Sequence, residues 1–300
     1  MNISNFSTIV ASIYIFVLGV FIFLLPDRKK IKNSFALLCL LISIWIVSFW
    51  IRQIVPIDFR HFVLDWMLIP TVFFPILLDK IVSYISDPNH KMKKIKFGAL
   101  FFLSTYFIAI GIACEYSKIY DYERLLFSST IHYHSLMLYH VLYTAYCTYK
   151  LNLFAKGMQG NQRVRLRLMS FGIVFIIIFA FGFLYILPMV NFNAPYMAPI
   201  GALLCMSLWS VAILQYNAFE LKSDILSGKE VPFLNRITLY PFLGIYSILE
   251  PVEYEERKLE FNTNTVSDFL TGEQILKSNT NLNMKKRAEV LARRFDKYIK

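Results

Sequence analysis

Apolar stretches of about 20 residues, the length needed to cross roughly 30 Å of hydrocarbon, recur along the first two-thirds of this 300-residue chain. Seven can be marked: Ser7–Pro26, Ser34–Ile51, Phe62–Ile85, Phe97–Cys114, Thr130–Leu153, Leu168–Leu187 and Tyr196–Leu214, each bounded by a polar or Pro-containing turn. Backbone amides in lipid must be bonded within their own segment, and these runs lack the apolar/polar alternation of a barrel strand, so they read as helices. Composition agrees: 57% of residues are hydrophobic and 17% charged, against about 45–50% and about 25% in soluble domains. The expected class is an all-α polytopic membrane protein with seven transmembrane helices and a small cytosolic tail.

Lys and Arg are unevenly spread over the short loops. The first, third and fifth loops hold Arg28, Lys29, Lys30, Lys32, Lys91, Lys93, Lys94, Lys96, Lys150, Lys156, Arg163, Arg165 and Arg167, whereas the second and fourth hold only Arg52, Arg60, Lys118 and Arg124. The positive-inside rule then puts the N-terminus outside and the tail inside. It also accounts for the net charge of +11: basic inner loops lie beside anionic lipid, so the lipid bilayer rather than nucleic acid is the expected partner. Met1–Ser7 has no basic residue and no small-residue cleavage site follows the first run, so that run reads as a retained span rather than a signal peptide.

Ionisable residues inside spans are functional candidates by default. Asp65 and Trp66 fall about one turn inside the outer end of the third run, and Asp79 and Lys80 in its inner third, with Pro70 and Pro75 between them to kink the helix. Neighbours on a helix point about 100° apart, so Asp79 and Lys80 need separate partners; they are candidates for a switch or relay, or for an anchor at the inner interface. The fifth run carries His132, His134 and His140 among tyrosines. His132 and His134 lie about 200° apart and His132 and His140 about 12 Å apart along the axis, so no two converge on one ion, and neither a metal nor any other cofactor is expected. Trp45, Trp50 and Trp66 fall in the outer half, either as an aromatic belt or, with Asp65, Trp45, Trp66, His132 and Tyr133 grouped, as a shallow outward pocket for a small ligand. Cys39, Cys114, Cys147 and Cys205 lack the close pairing of zinc or redox sites and read as reduced thiols.

After Leu214 the chain enters a charged linker, then the apolar stretch Val231–Leu249, interrupted by Pro232, Asn235, Arg236 and Pro241. This suits an interfacial or folded cytosolic segment better than an eighth span. Glu250–Glu260 is acidic and Asn262–Asn283 rich in Asn, Thr and Ser, which reads as a linker or a small irregular domain. With Asn283 as N-cap, Met284, Ala288, Leu291, Phe295 and Tyr298 form one helical face. Lys285, Lys286, Arg287, Arg293, Arg294, Lys297 and Lys300 crowd the other. Such a basic amphipathic helix over 283–300 suits an anionic membrane surface, a partner groove or its own domain, and Lys285, Lys286, Arg287, Leu291, Arg293, Arg294 and Phe295 are the expected contact residues.

Asn33-Ser34-Phe35-Ala36-Leu37-Leu38 leading into Trp45, Asn161-Gln162-Arg163 with Arg165, Pro188 and Pro199, and Ile213-Leu214-Gln215-Tyr216-Asn217-Ala218-Phe219 occur in that order over roughly residues 1–222. In these pieces the chain resembles the N-terminal seven-helix sensor region of bacterial histidine kinases. The resemblance implies a sensor domain over 1–222, a cytosolic tail over 223–300, residence in the bacterial cytoplasmic (inner) membrane, and room for a homodimer. The family's transmitter has no counterpart here: no histidine follows His140, and only Gly228, Gly244 and Gly272 occur after residue 215. No protease, hydrolase or P-loop motif is present either, so no enzyme activity is expected. What the resemblance implies is an orphan sensor that relays to a cytosolic signalling protein through its tail; a transporter or permease component, or a membrane assembly partner, are the other readings.

Overall fold

The computed structural model describes residues 3–25, 29–87, 89–122, 126–190, 197–215, 217–227 and 229–299. Among them the chain is helical except for one two-stranded antiparallel ribbon. In chain order the elements are α1 (Ile3–Leu24), α2 (Lys29–Ile54), α3 (Arg60–Trp66), α4 (Phe74–Ser86), α5 (Lys94–Ile112), β1 (Ser117–Asp121), β2 (Leu126–Ser129), α6 (Ile131–Gly157), α7 (Gly160–Ile176), a π-helical run (Ile177–Ile186), α8 (Leu187–Met189), α9 (Ala198–Leu214), α10 (Ala218–Leu226), α11 (Phe233–Leu249), α12 (Pro251–Asn279) and α13 (Met284–Ile299). Arg28, Arg124, Tyr216, Gly228 and Lys300 lie outside the described residues.

Five helical stretches among the described residues are long and apolar enough to cross a membrane: Phe6–Leu24, Lys30–Ile54, Ile57–Ser86, Lys94–Ile112 and Gly160–Met189, with a sixth if Ala198–Leu214 and Ala218–Leu226 count together. This is the composition of a multi-pass membrane protein. α6, at 27 residues, has the length but carries three histidines, several tyrosines and Lys150, so it is less apolar than its neighbours.

Two compact units divide the chain, one of residues 1–157 and 166–210, the other of 158–165 and 211–300. In the first, α1 and α2 pack closely because Gly19 has no side chain: a Cβ there would stand 2.6 Å from the Cys39 Cβ. The contact is locked by reciprocal buried bonds, Ser12 Oγ to the Ser43 carbonyl (3.0 Å) and Ser43 Oγ to the Ser12 carbonyl (2.9 Å), the small-residue and hydroxyl pattern of helix pairs in lipid. A second close approach occurs at Gly201 of α9, where a Cβ would lie 2.4 Å from the Phe179 Cβ. Trp209 Nε1 donates to the Met169 carbonyl at 2.9 Å. One buried cluster of this unit joins Val72, Phe107, Tyr116, Tyr133, Leu136 and Tyr139.

Between α3 and α4 the helix tightens rather than simply bends. Leu68, Ile69, Thr71 and Val72 each donate to the carbonyl three residues back, a 3₁₀ pattern imposed where Pro70 has no N–H to give and Pro75 constrains what precedes it. The connection between α5 and α6, expected as a plain turn, is the β1–β2 ribbon, with Ser117 opposite Ser129 and Ile119 opposite Phe127. Ile119, Tyr120 and Phe127 supply its strand-forming side chains.

In the second unit, Gln215 Nε2 donates to the Asn235 carbonyl (2.9 Å) and Thr238 Oγ1 (2.8 Å), and Arg163 pairs with Glu250 at 3.0 Å. Phe219 packs on Tyr246, Tyr254 and Phe261. The stretch expected as a linker or irregular domain is instead the 29-residue helix α12. Pro251 starts it, Glu253 and Lys277 suit its dipole, and the hydroxyls of Thr263, Thr265 and Thr271 return to carbonyls four residues back, which is how a Thr-rich stretch is accommodated in a helix. α13 opens as expected, with the Lys286 N–H donating to Asn283 Oδ1 at 3.0 Å.

Candidate functional site

α2, α3, the ribbon, the start of α6 and the π-helical run enclose a cavity of about 620 Å³ in the first unit. Of the five residues expected to bind a ligand, three line it: Trp45 from α2, Asp65 from α3 and Tyr133 from α6. Trp66 and His132 do not line it. Trp66 follows Asp65 by one helical step and is 51% exposed, stacking edge-on to Phe62 at 5.8 Å. The His132 ring meets Tyr106 OH at 2.7 Å and stands 3.7 Å from Glu115. The three histidines of α6 therefore act apart: His134 bonds Tyr185 OH at 2.8 Å, and His140 spans the Leu136 and Thr71 carbonyls, both at 2.8 Å.

Asp65 is fully buried, and its oxygens are occupied by the ribbon. Oδ2 accepts from the backbone N–H groups of Tyr116 (2.7 Å) and Ser117 (3.3 Å), and Oδ1 from the Ser117 hydroxyl (2.5 Å). The nearby His61 Nε2 donates to the Ser117 carbonyl at 2.9 Å. Asp65 thus ties α3 to β1 and forms part of the cavity wall with its charge already satisfied. Burial, reinforced by the Asp65 charge, holds the Tyr116 hydroxyl above its ordinary pKa, which keeps it a neutral donor to the Phe107 carbonyl at 2.6 Å.

Other polar atoms of the wall are unoccupied. Trp45 is 4% exposed, and its indole Nε1 is buried without a hydrogen-bond partner, as is the Nε of Arg52. Both residues line the cavity. They are seven apart on α2, so they share a face and stand about 10 Å apart along the axis. Among the described residues no carboxylate lies within ion-pair distance of Arg52; its guanidinium carbon sits 5.6 Å from the Phe49 ring. Tyr133 OH donates to the Leu184 carbonyl at 3.2 Å. A narrower apolar chamber continues inward, sharing Trp45, Leu68, Tyr133 and Leu184 with the first and adding Phe74, Met137, His140 and Phe181 among its walls. Ile177, Ala180, Phe181 and Leu184 of the π-helical run line that inner chamber, a placement in keeping with the frequent use of such geometry at functional sites.

Arg52 was legible only as one of few basic residues in the second and fourth loops. The signal that could have found it is its seven-residue spacing from Trp45, which stacks the two on one helical face.

Toward the other end of α4, Asp79 is 1% exposed and held by Lys96 (2.6 Å) and Lys150 (3.3 Å). Lys150 also donates to Ser83 Oγ at 2.6 Å, while Lys96 stands over the rings of Tyr143 and Tyr146. Lys80, as its angle on the helix requires, does not join this cluster and is exposed.

In the second unit, α13 packs on its own domain. Leu291 is 2% exposed and lies over Gly272 of α12, and Arg287 pairs with Glu273 at 3.0 Å. Leu291 and Arg287 are therefore engaged within this unit, whereas Met284 and Ala288 of the same face are exposed. Lys285, Lys286 and Arg293 remain exposed; the side chains of Arg294 and Phe295 lie outside the described residues. Among the described residues no three His, Cys, Asp or Glu side chains gather to hold a metal ion.

Comparison with protein-family models, with curated proteins and with solved structures yields no match.

Proposed function

From the cavity outward, we propose that the protein is a seven-helix membrane sensor that binds a small ligand between α2, α3 and α6 and signals to a cytosolic partner through its tail, residues 223–300. In this reading α6 and α9 complete seven spans and the basic loops face the cytosol. The N-terminus and the Arg52 cavity then face outward, and the chain is an orphan form of the sensor region it resembles in bacterial histidine kinases. The observation that carries the reading is one cavity joining Trp45, Asp65 and Tyr133 from three separate helices while leaving two buried donors of its wall unfilled.

Ligand binding would bias two arrangements of the helices around the cavity. The broken α3–α4 connection runs from the cavity wall toward Asp79, whose ties to α5 and α6 make Asp79, with Lys80 beside it, the relay candidate. A second reading, a transporter or permease component, draws on the same irregular backbone: a 3₁₀-broken helix and a π-helical run both face the cavity, as discontinuous helices do at transport sites.

The test is a plug. Gln53 lines the cavity and is exposed, so Gln53→Trp can obstruct it without entering the core. Proteins captured from gently solubilised membranes by the full-length chain are expected to differ between wild type and Gln53→Trp. Identical partner sets refute the sensor; solute flux into vesicles that Gln53→Trp abolishes would establish the transporter instead.

A further inference from the structure

The cavity itself narrows the chemistry of its ligand, and this step rests on the ligand-binding reading above. Its wall contains one cation, Arg52, that has no acidic partner among the described residues and whose Nε is buried and unbonded. The one carboxylate of the wall, Asp65, is saturated by three donors from β1 and the residue before it. Apart from Gln53, Ser117, Ser129 and His134, the wall is mostly apolar and aromatic, including Phe49, Leu64, Met67, Phe183 and Met189. A guanidinium facing a low-dielectric wall gains most from a planar oxyanion, which it can hold through two parallel N–H bonds. The inner chamber that begins at Trp45, Leu68, Tyr133 and Leu184 has almost no polar lining and suits hydrocarbon or an aromatic ring. Deeper than Arg52 by about two turns of α2, the Trp45 indole N–H remains available to an acceptor on the ligand body.

We propose that the cavity is a binding site for a small amphipathic organic acid, its anionic group on Arg52 and its apolar body against Trp45 and the inner chamber. Such an acid can come from the membrane, as a fatty acid, or from water, as an aryl or alkyl carboxylate; the recognition is the same.

The experiment is isothermal titration of the full-length protein in lipid nanodiscs, referenced to empty discs, with four probes: decanoate and its neutral counterpart decanol, phenylacetate and its neutral counterpart 2-phenylethanol. At least one acid is expected to bind more tightly than its alcohol. Arg52→Gln is expected to weaken that acid about ten- to a hundredfold, the value of a charge-assisted contact, and to leave the alcohol unchanged. Arg52→Lys, which keeps the charge, is expected to recover part of the loss, and thermal unfolding of both variants checks that they fold. Binding of decanoate alone assigns the membrane source, and of phenylacetate alone the aqueous one. If alcohols bind as well as acids, or Arg52→Gln leaves acid binding intact, the anionic assignment is overturned while the cavity stands as a ligand site. If none of the four binds, the assignment is overturned, and the cavity reading is then judged independently by Gln53→Trp.

Discussion

Removing the Asp65 carboxylate separates an anchoring role from a ligand-contacting one. Asp65→Ala leaves three buried donors bare, the Tyr116 and Ser117 N–H groups and the Ser117 hydroxyl. An unsatisfied buried donor costs about 1–3 kcal/mol; with partial relaxation of the ribbon, the loss is about 3–5 kcal/mol. Asp65→Asn is milder. Its carbonyl can take the place of Oδ2 and keep both backbone donors, while its amide replaces Oδ1 and the Ser117 hydroxyl turns to accept, so only the assistance of the charge is lost, about 1–2 kcal/mol. Thermal unfolding in detergent is expected to rank wild type above Asn above Ala, and amide hydrogen exchange is expected to accelerate across residues 116–130 in both variants, more in Ala. Equal destabilisation by Asn and Ala, or unchanged exchange in the ribbon, would refute the hydrogen-bond account of how α3 holds β1.

Gly201→Ala is expected to lower stability by about 1–3 kcal/mol, because its Cβ would also stand 3.0 Å from the Phe175 carbonyl. Gly98→Ala, in α5 with nothing within 4 Å, is expected to gain about 0.5–1 kcal/mol; paired melting curves check both. Cys114 is the one described cysteine that is not buried, so maleimide is expected to label it first in the native state. Burial, then the Asp65 charge, push its thiol pKa up, and since only the thiolate reacts its labelling rate is expected to reach its plateau at a higher pH than that of an unperturbed thiol. Leu291→Ala is expected to loosen α13 by about 2–3 kcal/mol, seen as faster exchange over 284–293. Glu273→Arg is expected to do the same more weakly, with rescue by Arg287→Glu if the pair at 3.0 Å is what holds the helix.

The helical class was legible because apolar runs of spanning length have few alternatives in lipid, and Pro70 and Pro75 announced the break between α3 and α4. The grouping of Trp45, Asp65 and Tyr133 was legible in part, from the depth each residue occupies in its run. Depth does not give azimuth, which is why Trp66 and His132 were grouped with them and Arg52 was not. The ribbon was hidden because five- and four-residue strands between long apolar runs look like a turn, and α12 because its composition resembles a linker until the hydroxyls of Thr263, Thr265 and Thr271 are seen to bond carbonyls four residues back. The π-helical run left no trace: Ile177–Ile186 reads as ordinary apolar sequence.

That run has a mechanical consequence. Within hydrocarbon no backbone group can be left bare, so a spanning helix cannot hinge by breaking its bonds; it can only exchange one complete pattern for another. At the end of the run the Leu187 N–H bonds the Gly182 carbonyl, five residues back. Rewinding such a stretch to the four-residue pattern would lengthen it and rotate everything beyond it, turning Leu184 and Tyr185 relative to the cavity they line. The wall is thus cut with a screw thread, in which a small advance at one end is read as a rotation at the other.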